Sequence, residues 1–111
     1  MLAPIFNRSA LKIKPLSQRI HDLSQDAIVD LTTPVAFEHQ EALQSVAGKM
    51  IRAKENGSSA IMMMGGHVIR AGVQKYIIDL MIRGYIDCLA MNGAGIIHDF
   101  EFALIGETTE S

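Results

Sequence analysis

The sequence predicts an α/β fold with a parallel sheet and flanking helices. Two short apolar runs, Ala60–Met64 and Ile86–Met91, lack polar alternation, which is typical of parallel strands covered on both faces. Each run ends in a turn built from glycine or asparagine: the first turn is Gly65-Gly66 and the second turn is Asn92–Gly95. A helical pattern follows each turn, so the chain contains the order strand, turn, helix twice.

The segment before the first strand predicts an arm and one helix. Residues 1–33 are irregular, and we expect them to form an N-terminal arm that wraps a neighbouring subunit. Thr33 has the character of an N-cap and Pro34 suits the first helical position, so the pattern predicts a helix over 34–56. Its stop signal is Asn56-Gly57.

The remaining helices are predicted by their apolar spacing and their glycine stops. A helix over 68–83 should end at Gly84, and a helix over 96–105 should end at Gly106. The two strands should lie adjacent and parallel, joined by a right-handed crossover. This unit is incomplete as a sheet, because two parallel strands leave open edges and an uncovered face. We therefore expect residues 34–111 to be part of a larger unit that continues beyond 111 or is completed by partners, and not a stable monomer.

Composition excludes some functions. A formal net charge of −2 does not indicate the excess of positive charge that is typical of proteins that bind nucleic acid or an anionic membrane. The first twenty residues do not show the pattern of a signal peptide, and no uncharged apolar stretch is long enough to span a membrane, so a cytoplasmic location is expected. The single cysteine, Cys88, excludes an internal disulfide and predicts a small core residue.

The two turns predict a nucleotide-type pocket. They should lie side by side at the carboxyl ends of their strands, where open parallel sheets bind ligands. A helix N-terminus presents free N–H groups that favour phosphate. The alternative is that the glycines only make tight strand-to-helix turns, because neither GxGxxG nor a P-loop lysine is present.

Histidine and acidic residues stand next to both turns. His67 follows the first turn and His98-Asp99 follow the second, so all three can face one cleft, where a histidine could bind ribose or phosphate or transfer a proton. The alternative for each histidine is a structural role at a helix start. Their spacing does not predict a metal site.

The run GGHVIRAGVQKYIIDLMIRGYIDCLAMNGAGIIHDF resembles the deoxyhypusine synthase family. In that family a helix after the first strand opens SNLISSG, and a TAGGVEED turn follows the second strand. Here residues 68–72, VIRAG, stand where LISSG stands, and residues 92–99, NGAGIIHD, stand where TAGGVEED stands. The distance between the two turns is kept as well as their chemistry.

The resemblance implies a Rossmann-like subunit, NAD as the cofactor, and a homotetramer with shared sites. Family enzymes oxidise spermidine, capture its aminobutyl group on a lysine and transfer it to a protein lysine or another amine. The resemblance therefore implies that the chain is the N-terminal NAD-binding portion of such a protein. The protein is expected to bind a small amine substrate and to bind neither nucleic acid nor a membrane. The resemblance implies these cofactor-binding residues: Gly66, His67, Val68, Ile69, Arg70, Asn92, Gly93, Ala94 and His98.

The sequence differs from the family pattern in two ways. Ile97-His98 replaces the acidic pair of the second turn, which removes two charges that would hold a polyamine and indicates a divergent bacterial branch. The catalytic lysine of the family lies beyond residue 111, so no catalytic residue is predicted in this chain. The alternative readings are a non-catalytic nucleotide-binding module and a purely structural oligomer.

Overall fold

The computed structural model describes residues 5–34, 36 and 38–109. Strand β1 is Leu23–Ser24, β2 is Ile61–Met64, β3 is Cys88–Met91 and β4 is Glu107–Thr108. The α-helices are α1 Gln40–Glu55, α2 Gly66–Arg70, α3 Gln74–Ile82 and α4 Gly93–Ile105. The α/β class, a small parallel sheet with flanking helices, is as predicted from the sequence.

The central sheet pairs β2 with β3 in parallel, as predicted. Ile61 lies beside Cys88 and Met64 beside Met91, so both strands end at the same edge. The start of the pair is held by Asp87, whose carboxylate accepts a hydrogen bond from the backbone N–H of Ala60 at 2.7 Å. The handedness of the crossover between the strands stays a prediction.

The two faces of this sheet have different environments. One face carries Met62, Met64, Leu89 and Met91, all partly buried. On the other, Ile61 is 65% exposed and Met63 is 82% exposed, and the neighbouring Cys88 is exposed as well. Among the described residues only one face is therefore covered, and the prediction that Cys88 is a core residue is wrong because it lies on the open face.

The helix predicted over 68–83 is two helices. Gly72 takes a φ of +76° and ends α2, and its carbonyl accepts a hydrogen bond from Val29 N–H at 2.8 Å. A Cβ at Gly72 would clash with the carbonyl oxygen of Ala27. The break therefore depends on a segment more than 40 residues away, which local periodicity does not reveal. The predicted stop at Gly84 is confirmed by its φ of +67°.

Helix α1 begins later than the sequence predicts. The start at Thr33-Pro34 is wrong: Thr33 N–H bonds to the Asp30 carbonyl and closes a turn, and α1 begins at Gln40 after an N-cap, His39, whose side chain makes no capping bond. Val35 and Phe37, which fell within the predicted helix, lie outside the described residues. The stop at Asn56-Gly57 is as predicted, with Gly57 at a φ of +66°.

The N-terminal segment is tied to the end of α4. Helix α4 ends at Gly106, as predicted, with a φ of +72°. Beyond it β4 pairs antiparallel with β1, with Leu23 opposite Thr108, and the Gln25 side chain donates a hydrogen bond to the Phe102 carbonyl at 3.0 Å. Part of the predicted arm thus packs on its own chain. The division into residues 1–33 and 34–111 stays a prediction.

The hydrophobic core is small and lies between the helices and the covered face of the sheet. Within the described ranges, its buried apolar side chains are Ile69, Ile77, Ile86 and Phe102. Large apolar side chains on α1 and α4 remain exposed, including Val46 at 53%. The radius of gyration is 18.5 Å, compared with ~13 Å for a compact domain of about this length. Much apolar surface is therefore left without a covering layer.

Candidate functional site

The first turn brings α2 into close contact with α4. Gly65 is extended, with φ −109° and ψ 179°, and Gly66 is buried as the first residue of α2. A Cβ at Gly66 would lie 2.9 Å from His98 Cδ2 and 3.0 Å from Ala94 Cβ. The absence of a side chain at Gly66 is what allows the two helices to approach.

The other candidate residues of α2 differ in exposure. His67 is exposed, and Val68 and Arg70 are partly buried. Ile69 is 3% exposed, so its side chain belongs to the core and only its backbone is available near the turn.

The second turn is an open helix start. Asn92 is the N-cap of α4, and its side-chain oxygen accepts a hydrogen bond from Gly95 N–H at 3.0 Å. The N–H groups of Gly93 and Ala94 have no partner inside the helix, as at any helix N-terminus. Gly93 does not take a positive φ, and a Cβ built on it meets no atom within 4 Å. The space in front of Gly93 is therefore open.

The two turns lie side by side at the carboxyl edge of the sheet, as the sequence predicts. A Cβ at Gly65 would lie 3.6 Å from the Asn92 side-chain nitrogen, which is an ordinary van der Waals distance. Parallel pairing of β2 and β3 brings the turns to one edge, and the contact of α2 with α4 holds them there. The backbone groups that follow both strands can thus face a single ligand.

His98 lies behind the second turn, in a buried network. Its side chain is 5% exposed, and its Nδ1 is 2.8 Å from the Thr108 hydroxyl. That hydroxyl donates its proton to Glu101, so it must accept from His98, and Nδ1 therefore carries a proton. The His98 ring therefore has a hydrogen-bond partner within the fold, and its contact with a cofactor stays a prediction.

Charge in this network is balanced. Glu101 forms an ion pair with Arg19, with 2.6 Å between oxygen and nitrogen, and its side chain is 13% exposed. Burial acts to raise the pKa of Glu101, but hydrogen bonds from Thr108 and Arg19, together with the charge of Arg19, outweigh it and lower the pKa below its ordinary value. The carboxylate is therefore ionised and fixed in place near neutral pH.

Sequence reasoning missed Arg19, Glu101 and Thr108, because no motif marks them and the network forms only when β4 pairs with β1. It also missed Gln74, a buried residue next to the turns. Within the part of the chain that the structure describes, no group of three or more His, Cys, Asp or Glu side chains could hold a metal ion. In the same ranges, no helix has both the length and the apolar character needed to cross a membrane.

Comparison with known families identifies the unit. Residues 44–110 match the family model described as arginine dihydrolase ArgZ-like, C-terminal, Rossmann fold. The chain belongs to this family. The match includes most of α1, the central sheet and both turns, so the Rossmann fold inferred from the sequence is confirmed.

Curated relatives confirm the resemblance to deoxyhypusine synthases. The chain is 28% identical over 85 residues to a probable deoxyhypusine synthase 2 of Methanosarcina mazei and 26% identical over 85 residues to that of Methanosarcina acetivorans. Each alignment covers 77% of this chain and 25% of the relative, so the chain spans about a quarter of the length of these relatives. No solved structure matches the chain significantly. Its homologues are deoxyhypusine synthase-like, and together with the Rossmann fold they suggest a nucleotide cofactor.

Proposed function

We propose that this chain is the NAD-binding portion of a deoxyhypusine synthase-like protein. The observation that carries the proposal is the juxtaposition of the two turns at the carboxyl ends of two adjacent parallel strands. Curated relatives named as probable deoxyhypusine synthases support the family context. In this proposal the chain is one part of a longer protein and is not active alone.

The residues at the turns fit a dinucleotide. The open N-terminus of α4, with the N–H groups of Gly93 and Ala94, suits a phosphate, since helix N-termini favour anions. The exposed His67 and the backbone of Val68, Ile69 and Arg70 are proposed to contact the cofactor from the first turn and the start of α2. Asn92 holds the second turn in shape through its bond to Gly95. His98 is proposed to support this wall through its buried ring and not through a charged contact.

The chemistry of the whole protein is proposed from the family. NAD would supply hydride transfer on an amine substrate, and a lysine outside this chain would carry the transferred group. Lys54 bonds to the Arg83 carbonyl and Lys75 pairs with Asp30, so both lysines already have partners within the chain. The exposed Ile97 and the engaged His98 provide no anionic pair for a polyamine, which favours a smaller or less charged amine.

The incomplete core is the reason for proposing assembly. The exposed face of the central sheet and the apolar residues of α1 and α4 need a covering layer, and we propose a homo-oligomer, a tetramer by family resemblance, in the cytoplasm. Sedimentation of the full-length protein should give a species larger than a monomer. A compact, cooperatively unfolding monomer at micromolar concentration would contradict this proposal.

The proposed cofactor is tested by Gly93→Val in the full-length protein. Because no atom lies within 4 Å of a Cβ at Gly93, the substitution should leave the fold intact and fill the space in front of the turn. We expect calorimetry to show loss of NAD binding, while Gly48→Val on α1 binds NAD like the unmodified protein. If Gly93→Val binds NAD with unchanged affinity, the second turn is not part of a cofactor site.

A further inference from the structure

A groove beside the two turns contains a buried amide without a partner. Its walls include Met64 and Met91, the last residues of β2 and β3, and Ile78 and Met81 of α3. Its walls therefore reach the edge of the sheet at which both turns lie. Gln74, the first residue of α3, also lines it and is 9% exposed.

The Gln74 amide is unsatisfied in this environment. Both its Nε2 and its Oε1 are buried and have no hydrogen-bond partner among the described residues. A buried polar group left in this state is destabilising, so it is rare in a folded protein unless a ligand or another segment meets it. The amide offers one donor and one acceptor side by side, and its best complement is a second amide, such as a carboxamide.

The size and chemistry of the groove further restrict the class of ligand that it can bind. Its volume is about 140 Å³, and an apolar cavity of ~150 Å³ is known to hold a benzene ring. Methionine side chains adapt to an aromatic ring and make favourable contacts with it. Asp99 is the only ionisable residue among the described residues that line the groove, and its carboxylate favours a cationic ligand.

A planar aromatic ring with a carboxamide and a positive charge is the oxidised nicotinamide ring. We propose that this groove holds the nicotinamide end of NAD⁺, with the carboxamide paired to Gln74 and the ring charge facing Asp99. This inference rests on the proposed NAD site and extends it to Gln74 and Asp99, which are not among the cofactor-binding residues that the resemblance implies. It also implies a preference for NAD⁺ over NADH, whose ring is neutral.

The test separates the two ends of the cofactor in the full-length protein. Calorimetry should show that Gln74→Leu lowers NAD⁺ affinity about tenfold while ADP-ribose, which lacks nicotinamide, binds within about twofold of the unmodified protein. Gln44→Leu on the exposed surface of α1 is the matched control and should change neither affinity. Because the substitution removes a buried unsatisfied amide, Gln74→Leu should also unfold at an equal or higher temperature.

Asp99→Asn provides an independent readout. It should reduce the ratio of NAD⁺ to NADH affinity while leaving ADP-ribose binding unchanged. The groove proposal is overturned if Gln74→Leu weakens NAD⁺ and ADP-ribose equally, or weakens neither. Binding of ADP-ribose without any gain from nicotinamide, as expected if the groove took adenine, would also overturn it. If the unmodified protein binds neither compound, the proposed NAD function itself fails, and the groove assignment fails with it.

Discussion

The first and second turns look alike in the sequence, but their glycines have different tasks. Gly66 is buried, and a Cβ there would come within 3.0 Å of the second turn at Ala94 and closer still to His98. Gly93 is exposed, and a Cβ there would touch nothing within 4 Å. Glycine in the first turn therefore allows two helices to pack closely, whereas glycine in the second turn leaves open space that a ligand can occupy.

The most direct way to break this comparison is the matched pair Gly66→Ala and Gly93→Ala. Gly66→Ala should lower the free energy of unfolding by about 1–3 kcal/mol, since the new methyl group overpacks the α2–α4 contact. Gly93→Ala should be neutral or stabilise by about 0.5–1 kcal/mol, because alanine is the better helix former. Urea unfolding of the full-length protein measures both. Equal effects from the two substitutions would show that the turns do not differ in this way.

The hydrogen bonds that link His98, Thr108 and Glu101 behind the second turn should contribute a somewhat smaller amount to the free energy of unfolding. Thr108→Val removes the hydroxyl that links His98 to Glu101 and leaves a buried N–H without an acceptor, so we expect a loss of about 1–2 kcal/mol. Thr108→Ser keeps the hydroxyl and should retain most of the stability. Because His98 is buried in this network, His98→Ala should also destabilise the fold by more than the ~1 kcal/mol of an ordinary helix cap. If valine and serine at 108 give the same stability, the hydrogen bonds contribute nothing.

The smallest expected effect is a pH dependence. The pKa of Glu101 is lowered in the fold from its ordinary value of 4.5, so its contribution is complete above that value and is lost as pH falls through the folded-state pKa. Glu101→Gln should therefore reduce the difference in unfolding free energy between neutral and acidic pH by less than ~1 kcal/mol. Glu41→Gln on the exposed start of α1 is the control. If Glu101→Gln leaves the loss of unfolding free energy at acidic pH unchanged, this carboxylate is not stabilised by the fold.

Local patterns predicted the features that depend on neighbours in the sequence. The two strands, their parallel pairing and the glycine stops after α3 and α4 were confirmed, because apolar runs and glycines with positive φ are local signals. The break at Gly72 was missed because an apolar stripe continues across it and only the contact with residues 27–29 fixes its conformation. The start of α1 was wrong because Thr33 closes a turn instead of capping a helix.

The candidate site shows the same division. Its position at the carboxyl edge could be predicted, since it follows from strand order and two turns. The burial of His98 could not, because its partner Thr108 is placed by the pairing of β4 with β1 across 85 residues. The unsatisfied amide of Gln74 was likewise invisible, as a glutamine at a helix start normally reaches water.

The central claim is that the two turns form one side of a single nucleotide site. It is tested most directly by amide chemical shifts of the full-length protein during titration with NAD. We expect the amides of residues 66–70 and 92–94 to shift together, with one common dissociation constant. Shifts confined to one turn, or no shift at either turn under saturating NAD, would contradict the claim.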